Sequence, residues 1–454
     1  MSDQAGGRSG LIDELRGQIA SPVFEPGDDG YDDARRSFNA MIDRRPAAVA
    51  QPVTAEEVAA AVRFARRHDL EIGVRGGGHS VAGHGLIDDG LIIDLRRMRG
   101  VTVDAPRRRA SAEGGATWEE FDSATQAHGL AVTGGTFVDT GIGGLTLGGG
   151  FGFLMGLCGL TCDNLLGAQL ATAEGRLIEV TGETDAELLW ALRGGGGNFG
   201  IATRLDYRLH EVGQMFGGEV IVALDDGAVL RRYAEAQVWA PDGLVAMCFV
   251  QNGLEFGPAV SLDIAWLGSQ AKGRELADSI IGRAEVLAGT LGSTTYPEIQ
   301  ALAGILPFTL RHYWKSAFVS DLSAPVIDEI VELVKQRPTG LSGVLIEPIH
   351  GQARRYGFEH SPFPERTARF HVSGLGIWED ARRDDGEIGW VRYLNQRMRA
   401  LGVAGTYVNY TAPDEPADRA RSAYPAPVYD RLRRIKRRVD PDNVFSSNVN
   451  IPPA

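Results

Sequence analysis

Cysteine is scarce in this chain: its 454 residues include three, Cys158, Cys162 and Cys248. An odd number without dense spacing excludes the disulfide framework of small secreted domains. Met1 to Gly10 lack the basic start and apolar stretch of a secretory leader, and no later segment reaches the ~18 uninterrupted apolar residues of a membrane span. A cytoplasmic protein with no membrane partner is therefore expected. Positive charge is also in deficit, with 46 Lys and Arg against 59 Asp and Glu and a formal net charge of −13. Nucleic-acid affinity comes mainly from neutralising backbone phosphates, so the expected partners are small molecules and not nucleic acid. No metal site is expected, and the sequence leaves the oligomeric state open.

Glycine, by contrast, is abundant. The 59 glycines exceed the average usage of roughly 7% and gather at positions 76–78, 141–152 and 194–200. Such clustering points to sites, not to disorder. The chain length calls for at least two domains.

Helices and strands mix through residues 45–210. Thr54-Ala-Glu-Glu57 has the spacing of a capping box, and Val58, Ala61, Val62 and Ala65 follow at helical period. Leu70, Ile72 and Val74 then alternate as a strand that runs into Arg75-Gly-Gly-Gly-His79-Ser80. A second strand is predicted at Leu91 to Leu95, and a helix over Trp118 to His128 begun by Thr117. Beyond Glu219 the glycine runs cease. Apolar stretches such as Gly218 to Leu224 and Phe370 to Trp378 alternate with amphipathic helices such as Ala324 to Gln336, the pattern of a separate antiparallel α+β unit. A basic helix over Tyr429 to Val439 stops at Asp440-Pro-Asp-Asn443, and the polar tail Asn448-Val-Asn-Ile-Pro-Pro453 reads as a docking segment.

Gly195, Gly197 and Gly200 satisfy G-x-G-x-x-G literally. In the dinucleotide fingerprint a strand enters the glycines and a helix leaves, placing pyrophosphate on the helix N-terminus. Here Thr184 to Leu192 reads as the entering helix and Ile201 to Leu209 as the leaving strand. The order is reversed, which excludes a Rossmann NAD site.

In the loop Arg75 to Ser80, missing Cβ atoms let consecutive N–H groups converge on an anion such as a diphosphate; taken alone, the loop is equally a tight turn with a surface histidine. The loop, the stretch Gly141-Ile-Gly-Gly-Leu-Thr-Leu-Gly-Gly-Gly-Phe-Gly152, the segment Gly159-Leu-Thr-Cys-Asp163-Asn164 and the terminal Asn448-Val-Asn-Ile-Pro452 occur in that order. Together they resemble the berberine bridge enzyme-like flavoproteins of the vanillyl-alcohol oxidase superfamily, from about Arg44 to Pro453.

The resemblance implies an α+β fold. Residues 1–215 would form a two-subdomain FAD-binding domain of the p-cresol methylhydroxylase (PCMH) type. Residues 216–405 would form an antiparallel-sheet substrate domain covered by helices, and residues 406–454 a berberine bridge-like segment returning to the FAD domain. It further implies FAD bound covalently through its 8α carbon to the His79 imidazole. The cysteine that often supplies a second tether aligns with Phe137, so no cysteinyl link is expected; Cys158 and Cys162 read as buried small hydrophobes.

Cofactor contacts are implied for Arg75, Gly76, Gly77, Gly78, Ser80 and Gly83, for Gly141, Gly143, Gly144, Gly148, Gly149 and Gly150, and for Asp163 and Asn164. Asn198, Gly200 and Ile201 would adjoin the adenosine half, and Asn448 and Asn450 the flavin. Tyr407-Val-Asn-Tyr410 is similar to a family strand whose second tyrosine is a general base. Tyr410 is thus the expected base, with Tyr407 beside it, although both are also ordinary strand aromatics. Strand periodicity would turn the two rings to opposite faces, and a phenol needs a neighbouring cation or hydrogen bond to act as a base. Two departures from the family pattern are Phe151, where a tyrosine is frequent, and the lack of an evident acid upstream of Pro362-Phe-Pro364. His350, Gln352 and Arg354 could share a strand face toward substrate, or simply be solvated.

The activity so implied is an FAD-dependent oxidase acting on a hydroxyl group of a sugar, alcohol or comparable small molecule. Hydride would pass to flavin N5, and O2 would reoxidise the ring to give H2O2. Two alternatives are a flavin-dependent oxidative cyclase or dehydrogenase of a biosynthetic pathway, and a flavin-binding protein without turnover.

Overall fold

Thr54 accepts a hydrogen bond from the Glu57 N–H and starts the helix Ala55–Arg67 where the capping spacing places it. This geometry comes from a computed structural model that describes residues 10–253, 255–305, 307–337, 340–402, 406–416 and 418–454. The reading of Met1 to Gly10 falls, Gly10 apart, outside the described residues.

Two sheets carry the glycine runs. The first has the order Val23–Phe24, Ala48–Ala50, Leu91–Asp94, Ile72–Arg75, with its last three strands parallel. The buried face of Ala55–Arg67 packs on it through Val58, Val62 and Ala65. The second is antiparallel, in the order Val101–Asp104, Arg109–Glu113, Ile201–Arg208, Leu165–Ala171, Leu177–Thr181. The helix Ala186–Leu192 enters the third glycine run and Ile201–Arg208 leaves it, as the reversed order requires. Its cap is Asp185, one residue later than expected, whose carboxylate accepts from the Leu188 N–H.

The third sheet is antiparallel and eight-stranded, built from strands between Met215 and Trp378. Alternation divides its side chains between two faces. Val344, Ile346, Phe370 and Val372 point into the core formed with the helices Ala228–Val238, Gln270–Ile281, Ala324–Lys335 and Asp384–Leu401. The opposite face of Arg311–Val319, Gly343–Pro348 and Phe370–Trp378 looks toward the glycine runs. An α+β fold with helices on one face of an antiparallel sheet is what the sequence patterning describes.

The C-terminal helix Ala426–Val439 ends because the Asp440 carboxylate takes up the next N–H groups, those of Val444 and Phe445. The tail then folds back on the third glycine run. Ile451 N–H donates to Asn198 Oδ1, and Asn448 Nδ2 donates to the Gly197 carbonyl. Among the described residues no helix is long and apolar enough to cross a membrane.

Candidate active site

The strand Ile72–Arg75 delivers the chain into Gly76, and Gly78 turns it at φ 82°. A Cβ on Gly77 would stand 2.3 Å from Gly141 N, and one on Gly141 2.2 Å from Gly77 N. The first two glycine runs therefore touch backbone to backbone, an approach that any side chain would prevent. Under this crossing lies Arg75, 3% exposed. One guanidinium nitrogen donates to the Ala34 carbonyl, while Nε and Nη2 have no hydrogen-bond partner among the described residues. Burial, and then repulsion from Arg96, bring its pKa down to about 10 against the opposing pull of Asp94. A buried cation with two unsatisfied donors is costly unless an anion answers it. The diphosphate of a dinucleotide would do so, and the glycines leave room for it.

A cavity runs from this crossing to the third sheet. It is lined by Arg75, Gly76, Gly77, Gly78, His79, Ser80 and Gly83, by Gly141, Gly143, Gly144 and Phe151, by Asn198, Gly200, Ile201 and Asn448, and by Tyr407 and Tyr410. Tertiary structure thus gathers most of the expected site from segments scattered over the whole chain. His79 stands midway, its ring stacked on Phe38 at 4.4 Å between centroids and its Nε2 2.8 Å from Asp139 Oδ2. Phe137 lines the same wall, 6.4 Å from His79 between centroids. Cys158 and Cys162 are buried in a separate apolar cluster, and burial pushes the Cys158 thiol up to about 12.

Tyr407 to Tyr410 is a turn, not the expected strand: the Tyr410 N–H donates to the Tyr407 carbonyl at 3.1 Å. A turn undoes the alternation argument. Both rings fall on one side, with centroids 5.2 Å apart. The Tyr407 hydroxyl accepts from the Gly150 N–H and from Asn409 Nδ2, each at 3.0 Å. Gly148, Gly149 and Gly150 serve this packing and do not line the cavity; a Cβ there would strike Asn409, Phe363 and Thr161 respectively. Among the described residues, the groups that act on the Tyr410 phenol include no cation to serve as the phenolate's expected partner. Burial, then Glu347 and Tyr407, hold its phenol well above the ordinary value, opposed by a hydrogen bond with Thr136.

Behind the tyrosines lies a pair that sequence reasoning missed. His371 Nδ1 donates to Glu347 Oε2 at 2.8 Å, and neither residue is exposed. The His371 ring is 5.4 Å from each tyrosine ring and stacks on Phe151 at 5.1 Å. Its Nε2 has no partner among the described residues. Glu347 is thus a buried carboxylate upstream of Pro362-Phe-Pro364, outside the stretch from His350 to Arg355 where the resemblance placed the acid. Its signal was a lone carboxylate closing the apolar run Val344-Leu-Ile-Glu347, where a charge is retained only for a reason.

Several expected residues lie elsewhere. Gln352 and Arg354 belong to a short helix, Gln352–Arg355, instead of a strand, and Arg354 donates to the Arg366 and Thr367 carbonyls away from the cavity. Neither residue faces the tyrosines, because Gly351 ends the extended run at φ 55°. Asp163 is held by Arg366 in a bidentate pair at 2.6 and 3.0 Å, and Asn164 donates to the Cys158 and Leu160 carbonyls. These two brace the chain behind the glycines without lining the cavity, and Asn450 is likewise outside it. No group of three or more His, Cys, Asp or Glu among the described residues is placed to hold a metal ion.

Two family profiles match the chain: one described as FAD binding domain at residues 46–181, the other as berberine and berberine like at residues 406–452. The chain is 29% identical to (R)-6-hydroxynicotine oxidase of Paenarthrobacter nicotinovorans, over 96% of its own length and 97% of the relative's. An FAD-linked oxidoreductase of Dictyostelium discoideum is 25% identical, over 100% and 99%. The crystal structure of 6-hydroxy-D-nicotine oxidase from Arthrobacter nicotinovorans superposes with a TM-score of 0.87 at 27% identity, covering 96% of this chain and 98% of that one. A chitooligosaccharide oxidase shares the fold, with a TM-score of 0.87 at 22% identity over 98% and 100%. With the glycine crossing and the docked tail, these matches define an FAD-dependent oxidoreductase. More narrowly, residues 46–181 and 406–452 match the FAD-binding and berberine-like domain families, and the whole chain is similar to the berberine bridge enzyme-like flavoproteins.

Proposed function

We propose that this protein is an oxidase that removes two electrons from a hydroxyl-bearing carbon of a small organic substrate. The observation that carries the reading is the buried Glu347–His371 pair facing two tyrosines at the end of a glycine-lined cavity. Residues 1–215 and 406–454 would hold the cofactor, and residues 216–405 would supply the substrate wall. Arg75 would answer the diphosphate and Asn448 the flavin end, while His79 would tether the ring as a single covalent link. Bound FAD supplies a hydride acceptor that O2 reoxidises with release of H2O2.

Tyr410 receives the substrate hydroxyl proton. Its own phenol is held neutral, so it passes its proton on as it takes one up. His371, whose ring centroid lies 5.4 Å from that of Tyr410, takes that proton up, and Glu347 stabilises the imidazolium that forms, as a buried carboxylate does for a catalytic imidazole. Tyr407, pinned by Gly150 and Asn409, positions the turn. The Phe151 and Phe363 rings close the site against water.

The test is anaerobic mixing of the purified, yellow protein with a panel of alcohols and sugars. Bleaching of the flavin band by at least one compound, with H2O2 formed mole for mole on readmitting air, supports the reading. A flavin that no compound bleaches, or product formed without peroxide, overturns it.

A further inference from the structure

We propose that the protein carries a second binding site, outside the cofactor cavity, for the phosphoryl group of inorganic phosphate or of a phosphomonoester. The site is a pocket of about 430 Å³, within the range of small-molecule sites. It stands whether or not the oxidase reading does.

The strands Gly343–Pro348 and Phe370–Trp378 pair as far as Pro348 opposite Phe370, and beyond them the Ile349 N–H still donates to the Arg369 carbonyl. There the chain leaves the first strand through His350 into the helix Gln352–Arg355, while Arg366 and Arg369 lead into the second. Asp242, in the loop after the helix Ala228–Val238, closes the other side. No residue of this pocket lines the cofactor cavity.

Four arginines, Arg354, Arg355, Arg366 and Arg369, meet here in a chain whose formal net charge is −13. Two are answered: Arg355 holds Asp242 in a bidentate pair at 2.6 and 3.0 Å, and Arg366 holds Asp163. Two are not. Arg354 donates to backbone carbonyls, and the Arg369 guanidinium makes no hydrogen bond or ion pair among the described residues. These two repel each other. Burial, and then Arg369, lower the Arg354 pKa against the pull of Glu365. Glu365 is itself engaged by the Thr367 and Ala368 N–H groups and the Thr367 hydroxyl, and does not line the pocket. Two uncompensated guanidiniums match a dianion, and their forked donors suit its oxygens.

The pocket also holds buried polar atoms with nothing to bond. Arg366 is 7% exposed, and its Nε has no partner among the described residues. His350, 8% exposed, has no side-chain partner at either ring nitrogen. Burial brings its pKa down to about 4, against the pull of Asp242 and the Leu244 backbone. The ring is therefore neutral at pH 7 and can donate to one ligand oxygen or accept from a protonated one. A buried donor left unmet is costly. A carboxylate, with one charge and two oxygens, would leave a guanidinium unanswered; a phosphoryl dianion, with three terminal oxygens, does not.

The test uses the flavin-loaded protein, in which FAD fills the diphosphate cradle, so that added phosphate reports on the second pocket. Inorganic phosphate and phenyl phosphate are titrated calorimetrically in low-salt buffer at about pH 7.5, where both are dianions, with potassium chloride at matched ionic strength as the blank. Both are expected to bind with dissociation constants of about 1 mM or tighter and to raise the thermal midpoint, whereas chloride does neither. Arg369→Gln, which removes no side-chain hydrogen bond, should weaken both at least about tenfold, and Arg354→Gln should do the same. Arg382→Gln, at a solvated arginine whose side chain is 90% exposed, should leave both as in wild type. Tighter binding of phenyl phosphate supports the site with an organic phosphate as its ligand; equal or tighter binding of the inorganic ion supports it with free phosphate. No saturable binding of either up to about 10 mM, an affinity that Arg369→Gln leaves unchanged, or an equal loss in Arg382→Gln overturns the proposal.

Discussion

Glu347 and His371 form a hydrogen-bonded pair 2.8 Å apart, fully buried on two neighbouring strands and facing the turn that carries Tyr407 and Tyr410. Removing one partner of a buried pair leaves an uncompensated polar group, so such a pair persists where stability alone would favour apolar residues.

If the pair relays the substrate proton, Glu347→Gln keeps size and hydrogen bonding but cannot hold an imidazolium. Anaerobic flavin reduction should slow about 10²-fold, with the pH profile of the rate displaced and the flavin spectrum unchanged. A rate and profile equal to wild type would remove the pair from the mechanism.

The two tyrosines should separate cleanly. Tyr410→Phe deletes the phenol facing substrate and is expected to cost about 10²- to 10⁴-fold in reduction rate. Tyr407→Phe deletes a hydroxyl that accepts two hydrogen bonds inside the protein, so its main effect should be a loss of about 1–3 kcal/mol in denaturant unfolding.

Covalent attachment can be read without turnover. Denatured wild-type protein should retain the mass of FAD, His79→Ala should lose it, and Cys158→Ala should keep it. Asp139→Asn, which weakens the hold on the His79 ring, should lower the tethered fraction at early times after FAD addition.

Asp122, which does not line the cavity, supplies a separate pH dependence. Burial raises its carboxyl from the usual range to about 8, opposed by a hydrogen bond from Gln300 Nε2 at 3.2 Å. The folded protein holds this proton and the unfolded chain releases it above about pH 4. Its contribution is therefore fully present below that pH and is lost as pH rises through about 8, with a slope of about 1.4 kcal/mol per pH unit. Asp122→Asn should flatten that part of a plot of unfolding free energy against pH.

Lys436 ties the tail to the cofactor side. Its ammonium donates to Asp440, to the Asn198 carbonyl and to the Phe445 carbonyl, with no exposure. Lys436→Met should cost about 3–5 kcal/mol in unfolding free energy and lower the FAD affinity of untethered His79→Ala protein.

Much of this site was legible beforehand, because its backbone demands are local. Gly76 to Gly78 and Gly141 to Gly152 mark themselves by their missing Cβ atoms, and Asn198 and Asn448 sit in segments whose polarity marks them as docking points. Glu347 and His371 were not legible, because each lies in a strand read by its apolar neighbours, and their partnership depends on the register that pairs the two strands. Arg354 failed for the converse reason: an alternation of polar residues was extended past Gly351, where the backbone turns.

Chain order and residue type alone thus determined the glycine runs, the helix caps, the orientation of the third glycine run and the histidine beside the first, since each follows from steric or hydrogen-bonding limits acting within a few residues; that the first two runs cross was decided by the fold. Only the folded chain decided that Tyr407 and Tyr410 face the same way, that a carboxylate and an imidazole meet behind them, and that Trp314 and Phe137 wall the pocket. Those relationships join residues as much as 177 positions apart, as Phe137 and Trp314 are, and their geometry is set by sheet register and side-chain packing, which no local pattern encodes.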